Sequence, residues 1–457
     1  MKIRQLIIHI LPVLLLFVVF ALIRWYNLEE RIIFAWDQEQ FSNQMKEILA
    51  NHKPTLLGPR VVSDTGFFLA PYFTYLLVPF YLLTKLHPVA LQYFVMTVSA
   101  FFFFGTYVML KKIFDKKTSF FFLLLWTINP LLAQYDSIPW NPIYIPLGVI
   151  ATWYFFKKIY DTNKSVDWAL LGITLGVFVN MHFQFVFLIL YSALFVLVSG
   201  VRTKKHIFGI VCASAFFLLM FVPLFLFDIR HDFLNIKLLT GFFAHGLDAI
   251  PSDRNVWRTV FTIFLEPLLI LRNEYVTVLF YIAVAGMFAH LYRNTKKFNR
   301  VFNLANLVIW LLFPIGFMVY GKRPSEYYFV FLYPFIYIGI VSFFTSIKRP
   351  ILLYALIAIL VFLNLQPLRN NLKSNMFGLY HKERAVIKLK ELTNGKKFNV
   401  SFSVPLGEHT GYDYLIDWHG IKQTGNWSVD PLVQVHIPVA KEDIKVGSIG
   451  IILPKDF

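Results

Sequence analysis

Long apolar runs, each bounded by a short burst of charge, dominate the chain. Windows of the length a bilayer requires predict membrane-spanning helices near residues 5–23, 88–110, 118–135, 142–157, 167–182, 184–200, 207–227, 275–292, 301–320, 327–346 and 350–366. Two more apolar stretches, 67–86 and 257–272, are interrupted by Pro71, Pro79 and Lys85 and by Glu266 and Pro267. Their pattern alone does not say whether they cross. The connectors decide between topologies. If both stretches are interfacial or re-entrant, the amino terminus and the loops 111–117, 157–164, 202–205, 293–300 and 348–349 share one side. With Lys2 and Arg4 these hold 18 Lys or Arg against two acids, Asp115 and Asp161. The opposite loops, 24–66 and 228–258, hold nine basic and ten acidic residues. The positive-inside rule then predicts about eleven spans, a cytoplasmic amino terminus and an extracytoplasmic carboxyl terminus. The first run follows basic residues as a signal peptide does, but it lacks a small-x-small cleavage site before Arg24 and reads as a span.

Two outer segments interrupt the apolar pattern. In the first loop, Phe41, Met45, Ile48 and Leu49 recur at helical spacing with Asn43, Lys46 and Glu47 between them, which predicts an amphipathic helix on the membrane surface. The tail predicts a helix near 380–394, stopped by Gly395, and strands at FNVSFSV, LVQVHIP and SIGIIL. The expected architecture is therefore an all-α polytopic membrane domain, residues 1–366, with interfacial helices. A small α/β extracytoplasmic domain, residues 367–457, follows it. No internal repeat of fixed period is present.

Composition agrees with this reading. Charged residues make up 15% of the chain and apolar ones 57%, where a soluble domain carries about a quarter charged residues. The net charge of +17 lies in the connectors rather than in a basic domain, so its partners are anionic lipid headgroups and not nucleic acid. The single cysteine, Cys212, excludes an intrachain disulfide.

Candidate chemistry lies on the outer side. Asp37, in Trp-Asp-Gln-Glu-Gln, opens the amphipathic helix, where a carboxylate could serve as general base toward an acceptor hydroxyl. With Gln40 three residues later it also fits a helix-capping box. Glu39 is the neighbouring acid, but two positions on it does not share a helical face with Asp37. The second outer connector, Gln134 to Pro142, carries Asp136 and a Trp140-Asn141 pair between prolines and reads as a fixed turn. His182 falls between two apolar runs, where it could hold phosphate or cap a helix. Arg230 and His231 at one outer span end, and Lys322 with Arg323 at another, are basic where the positive-inside bias disfavours charge. A phosphate group explains them, as do ordinary lipid headgroups. Asp37, Glu39 and Asp136 are too dispersed to specify an ion, so a divalent metal stays open. No P-loop, dinucleotide fingerprint, HExxH or cysteine metal site occurs. Asn399-Val-Ser and Asn426-Trp-Ser are glycosylation sequons in the tail.

One span, an outer loop opening with acids on an interfacial helix, many further spans and an outer carboxyl-terminal domain together resemble the C-type glycosyltransferases. The protein O-mannosyltransferase and aminoarabinose transferase group is the most similar. Asp37 matches the first acid of that family's Asp-Glu pair, with Gln38 in the second place and Glu39 one later. Asn141-Pro142 stands where relatives often have Asp-Pro, and His182 where some have a phosphate-binding lysine. The stretch from Gly321-Lys322 to Tyr328, followed by Pro334, resembles the family's late lysine-tyrosine-proline motif. The resemblance implies transfer of a sugar, with inversion, from a polyprenyl-phosphate donor to a hydroxyl of a lipid, polysaccharide or protein acceptor at the outer face of the plasma membrane. Asp37 would be the base, and Arg230, His231 and Lys322 would hold the phosphate. The competing reading is a transporter or lipid-linked-sugar flippase without covalent chemistry. It would place ionisable residues in mid-span, where they are scarce.

Overall fold

The structure, a computed structural model, describes residues 3–61, 66–200, 204–244, 255–264, 274–321, 324–347, 349–421, 423, 432–441 and 444–454. The first helix, α1 (Ile3–Trp25), is followed by the single turn α2 (Leu28–Arg31), the predicted amphipathic helix α3 (Trp36–Leu49) and α4 (Tyr72–Leu83). At 12 residues, α4 is about 18 Å long, too short for a hydrocarbon core of about 30 Å. Stretch 67–86 therefore does not cross as a straight helix. Next come α5 (Ala90–Ile113), α6 (Lys116–Ile128), α7 (Pro130–Tyr135), α8 (Ile145–Thr162), α9 (Ser165–Met181) and α10 (Val186–Val198). The pairs α11 (Lys204–Leu219) with α12 (Val222–Arg230) and α13 (Leu234–Ala244) with α14 (Val256–Phe264) precede three long helices. These are α15 (Glu274–Asn294), α16 (Lys297–Tyr320) and α17 (Tyr333–Ser346), the last entered through a 3-10 turn over Glu326–Leu332. The final apolar helix, α18 (Pro350–Asn371), continues past Pro367 before the tail begins.

Among the described residues five helices are long and apolar enough to cross a membrane, or six if α11 and α12, bent by 50° at their junction, form one broken span. The chain is a polytopic membrane protein. Several expected spans are instead divided. Pro130 has no amide hydrogen to continue α6, and the Asn129 side chain accepts from Leu132 N at 2.9 Å to start α7 afresh. The expected span 142–157 begins with a 3-10 turn over Asn141–Tyr144, and 184–200 with one over Phe183–Phe185. Of 257–272, α14 covers the first part, and residues 265–272 lie outside the described residues.

In the tail, α19 (Leu379–Thr393) ends where Asn394 and Gly395 turn left-handed, close to the expected stop. Strands β1 (Asn399–Ser403) and β2 (Leu432–His436) pair in parallel, and β4 (Ile449–Ile452) lies between β2 and β3 (Ile444–Val446) with antiparallel pairing on both sides. The pattern missed β3 and the short helix α20 (Tyr412–Trp418). Asn399 is fully buried in β1, which removes the first sequon as a glycosylation acceptor; Asn426 lies outside the described residues.

The tail is joined to the first loop by a shared core. Ile32, Phe34, Phe41 and Met45 belong to one buried cluster with Leu379, Val386, Val433, Leu415 and Ile451. Backbone bonds Asn375 N to Glu30 O and Leu379 N to Ile32 O, both 3.0 Å, stitch the seam. At Gly411, φ is +91° and an added Cβ would lie 2.6 Å from Phe34 O, so only glycine permits this approach.

Candidate active site

Backbone that is not helical survives at membrane depth only when protein buries it or when it lines a cavity. Several of these interruptions converge. The start of α3, the connector 136–141, the turn after α9 and the 3-10 segment 326–332 meet at one place.

Their junction is built from small clasps. Gln38 is buried; its Oε1 accepts from Ala35 N at 3.2 Å and its Nε2 donates to Pro139 O at 3.1 Å. Asn141 donates to Met181 O at 2.7 Å, which joins the connector to the end of α9. Trp140 packs against Tyr327 with ring centroids 5.2 Å apart, and Tyr327 meets His182 at 5.9 Å. Tyr328 stacks beside Tyr327 at 4.5 Å and near His182 at 6.4 Å. Tyr135 donates to Glu326 Oε1 at 2.8 Å.

Asp37 stands at the edge of this aromatic cluster, within electrostatic reach of Tyr327. It is the second residue of α3. The helix is capped instead by Gln38 closing back on Ala35, so the capping-box reading with Gln40 does not hold. The Asp37 carboxylate makes no hydrogen bond or ion pair with any described residue. It is open to solvent, yet enough protein surrounds it that burial raises its carboxyl above the usual aspartate range. A free carboxylate of raised basicity, within electrostatic reach of a tyrosine in the aromatic cluster, has the attributes of a general base.

Two other groups in the cluster are chemically available. His182 Nδ1 accepts from Gln184 N at 3.3 Å, so the neutral ring carries its proton on Nε2, as a donor. The buried indole N–H of Trp140 meets no acceptor among the described residues; no motif marked it, only its place between two prolines.

The remaining sequence candidates are placed differently. Asp136 is buried and paired to Arg24 at 2.7 Å, and Trp126 Nε1 donates to the same oxygen at 3.0 Å. Arg24 also donates to the carbonyls of Thr127 and Trp126. Asp136 is thus occupied in holding α1 to the connector. Glu39 accepts from Tyr414 N at 3.0 Å at the start of α20, so it joins α3 to the tail. Arg230 and His231 are exposed at the end of α12, with His231 stacked on Phe227, and no described contact links them to Asp37 or His182. Lys322 lies outside the described residues. Among the described residues no three of His, Cys, Asp and Glu gather as a metal-holding group.

A groove of about 770 Å³ runs along the outward face of α3, from Trp36 past Gln40, Asn43 and Glu47 to Thr55. Asp37 follows its first lining residue in sequence.

The fold is similar to those of two solved kinds of membrane protein, ArnT and the archaeal oligosaccharyltransferase. ArnT from Cupriavidus metallidurans bound to undecaprenyl phosphate superposes with a TM-score of 0.57 at 12% identity, over 94% of this chain and 93% of that one. The oligosaccharyltransferase of Archaeoglobus fulgidus gives 0.58 at 11% identity, over 91% of this chain and 64% of that one. The archaeal AglB in complex with an inhibitory peptide and a dolichol-phosphate gives 0.56 at 11% identity, over 95% and 70%. At this identity the likeness is one of fold. No protein-family model and no curated protein matches the chain.

Proposed function

We propose that the protein is a membrane glycosyltransferase that moves a sugar from a polyprenyl-phosphate donor to an acceptor hydroxyl, with inversion. The observation that carries this reading is the unpaired Asp37 carboxylate of raised basicity beside the Trp140, His182 and Tyr327 cluster. It is supported by a fold shared with ArnT, which was seen with undecaprenyl phosphate. Asp37 takes the acceptor proton as the hydroxyl oxygen attacks the anomeric carbon. The bond from that carbon to the phosphate oxygen breaks on the opposite face, and the polyprenyl phosphate leaves with its electrons. His182 Nε2–H and the Trp140 indole N–H are the donors closest at hand for donor oxygens. Tyr328 shapes the same wall, and Asn141 fixes the connector. Glu39 acts as a positioning residue through the tail, and Asp136 through Arg24. Arg230, His231 and Lys322 are the proposed phosphate contacts.

The proposed topology has about eleven spans, divided ones included, in the plasma membrane, with a cytoplasmic amino terminus. In it, residues 1–366 form the membrane domain and 367–457 the extracytoplasmic one.

The test is incubation of purified protein with synthetic polyprenyl-phosphate mannose, glucose or aminoarabinose and native envelope extract, following free polyprenyl phosphate and the anomeric configuration of the product. Release of the lipid phosphate with an inverted linkage is the expected result. Donor that changes leaflet in vesicles with its sugar bond intact would establish the flippase reading instead. A retained configuration would remove the single-displacement mechanism.

A further inference from the structure

We propose that the groove along α3 is an acceptor site for a neutral glycan; this rests on the transferase reading above and names the acceptor class. Most charged groups in the groove are already engaged. Lys46 pairs with Asp417 of the tail. Glu47 takes both the Lys53 ammonium, at 3.1 Å, and the Asn51 amide, at 2.8 Å. Glu39 is held by Tyr414 N, and Thr55 closes on the backbone of Leu57. The charges that line the groove are therefore matched to partners within or beside it. A charged ligand would have to displace them.

The groups left over are of one chemical kind. Gln40 and Asn43 are exposed and make no hydrogen bond to a described residue. The Gln44 carbonyl accepts from Thr74 at 3.2 Å, which leaves its amide N–H₂ directed elsewhere. Trp36, at the groove's mouth, is 59% exposed although it is the first residue of a well-packed helix. Side-chain amides paired with a flat aromatic face suit a polyhydroxylated ring, whose hydroxyls need both donors and acceptors and whose C–H face packs on an indole. The volume, about 770 Å³, falls within the range of about 300–1,000 Å³ typical of ligand clefts. Gln40 and Gln44 lie three and seven residues after Asp37, on its side of the helix. Asp37 directly follows Trp36 and stands one helical turn before Gln40, so a sugar lying across Trp36 and Gln40 adjoins the base.

The test measures binding without donor, so it stands apart from whether transfer occurs. The protein is placed in lipid nanodiscs, because maltoside detergents carry headgroups of the same class. Mannohexaose, maltohexaose and cellohexaose are titrated against it by saturation-transfer NMR, beside an uncharged Thr-rich peptide. At least one oligosaccharide is expected to bind, and Trp36→Ala to weaken it about tenfold, the equivalent of about 1.4 kcal/mol. Gln40→Ala is expected to weaken it as well. Trp36 is exposed enough that its removal should spare the fold, which an unchanged Tm checks. If no oligosaccharide binds, if only the peptide binds, or if Trp36→Ala binds as well as wild type, the glycan site is overturned. A transfer reaction observed alongside any of these results would leave the transferase standing with a different acceptor.

Discussion

A carboxylate that accepts a proton must first lose its own, and the surroundings of Asp37 resist that loss. Burial raises its carboxyl, so the acid limb of the transfer rate should lie above the ordinary aspartate value of about 3.9. In rate–pH profiles that limb should disappear from whatever residual activity Asp37→Asn retains; an unchanged limb would assign the base elsewhere. Stability follows the opposite sign. With the folded value above the unfolded one, the unfolded chain releases its proton first as pH rises. The folded state is therefore penalised above that window and unpenalised below it. At neutral pH, Asp37→Asn should accordingly melt at the same temperature as wild type or higher, a cost of function commonly built into active sites. Asp136 behaves in the reverse manner. Removing it leaves the Arg24 charge buried beneath Phe20 and Trp126, and orphaning one partner of such a pair costs about 3–5 kcal/mol. Asp136→Ala should lose folded protein in size-exclusion profiles, and the joint change Arg24→Met with Asp136→Leu should recover it. Recovery of fold by the double variant separates a structural acid from a ligand.

At the scale of the element, α3 was legible because its apolar residues recur at helical spacing. Phe41 and Met45 bury as the period requires, with Ile48 and Leu49 half-buried at the end. The role of Gln38 was not legible. Its amide matters through Pro139, 101 positions away in the chain, and no local period carries that. The same holds for Asp136 and Arg24, 112 positions apart. The divisions of the expected spans were partly visible as Pro130, Pro142 and the polar pair His182 and Gln184. Hydropathy windows average over such residues, so they merged 118–135 into one span where the structure has two helices. Gln38→Ala should free the start of α3 from the connector. Removing one partner of buried hydrogen bonds costs about 1–3 kcal/mol, and a lower Tm with a reduced kcat at unchanged donor affinity is the expected result. A normal kcat would mean that the clasp does not position Asp37.

Across the whole molecule, the tail and the first loop act as one body, although composition divides them sharply. Their apolar positions bury one another, and the seam closes on a lysine. Lys382 is 1% exposed; its ammonium donates to Phe34 O and Thr410 O, both at 2.8 Å. Burial pushes it down to about 8, against the opposing pull of Glu408 and Glu39. Because the folded value lies below the unfolded one, the unfolded chain holds the extra proton between the two, and stability should rise with pH across that interval. Thermal melts from pH 7.5 to 10 should show this rise in wild type and lose it in Lys382→Met. An identical slope in both would place the titrating group elsewhere. The tail thereby packs against α3, the helix that carries Asp37.

The most direct test of that arrangement is label transfer from the polyprenyl-phosphate donor that wild type accepts, measured side by side for wild type and Asp37→Asn at matched donor occupancy. Transfer that falls by at least about a hundredfold, the scale of one general base, with donor binding and Tm retained, is the predicted result. Equal transfer by both proteins would contradict Asp37 as the base and with it the account of the site.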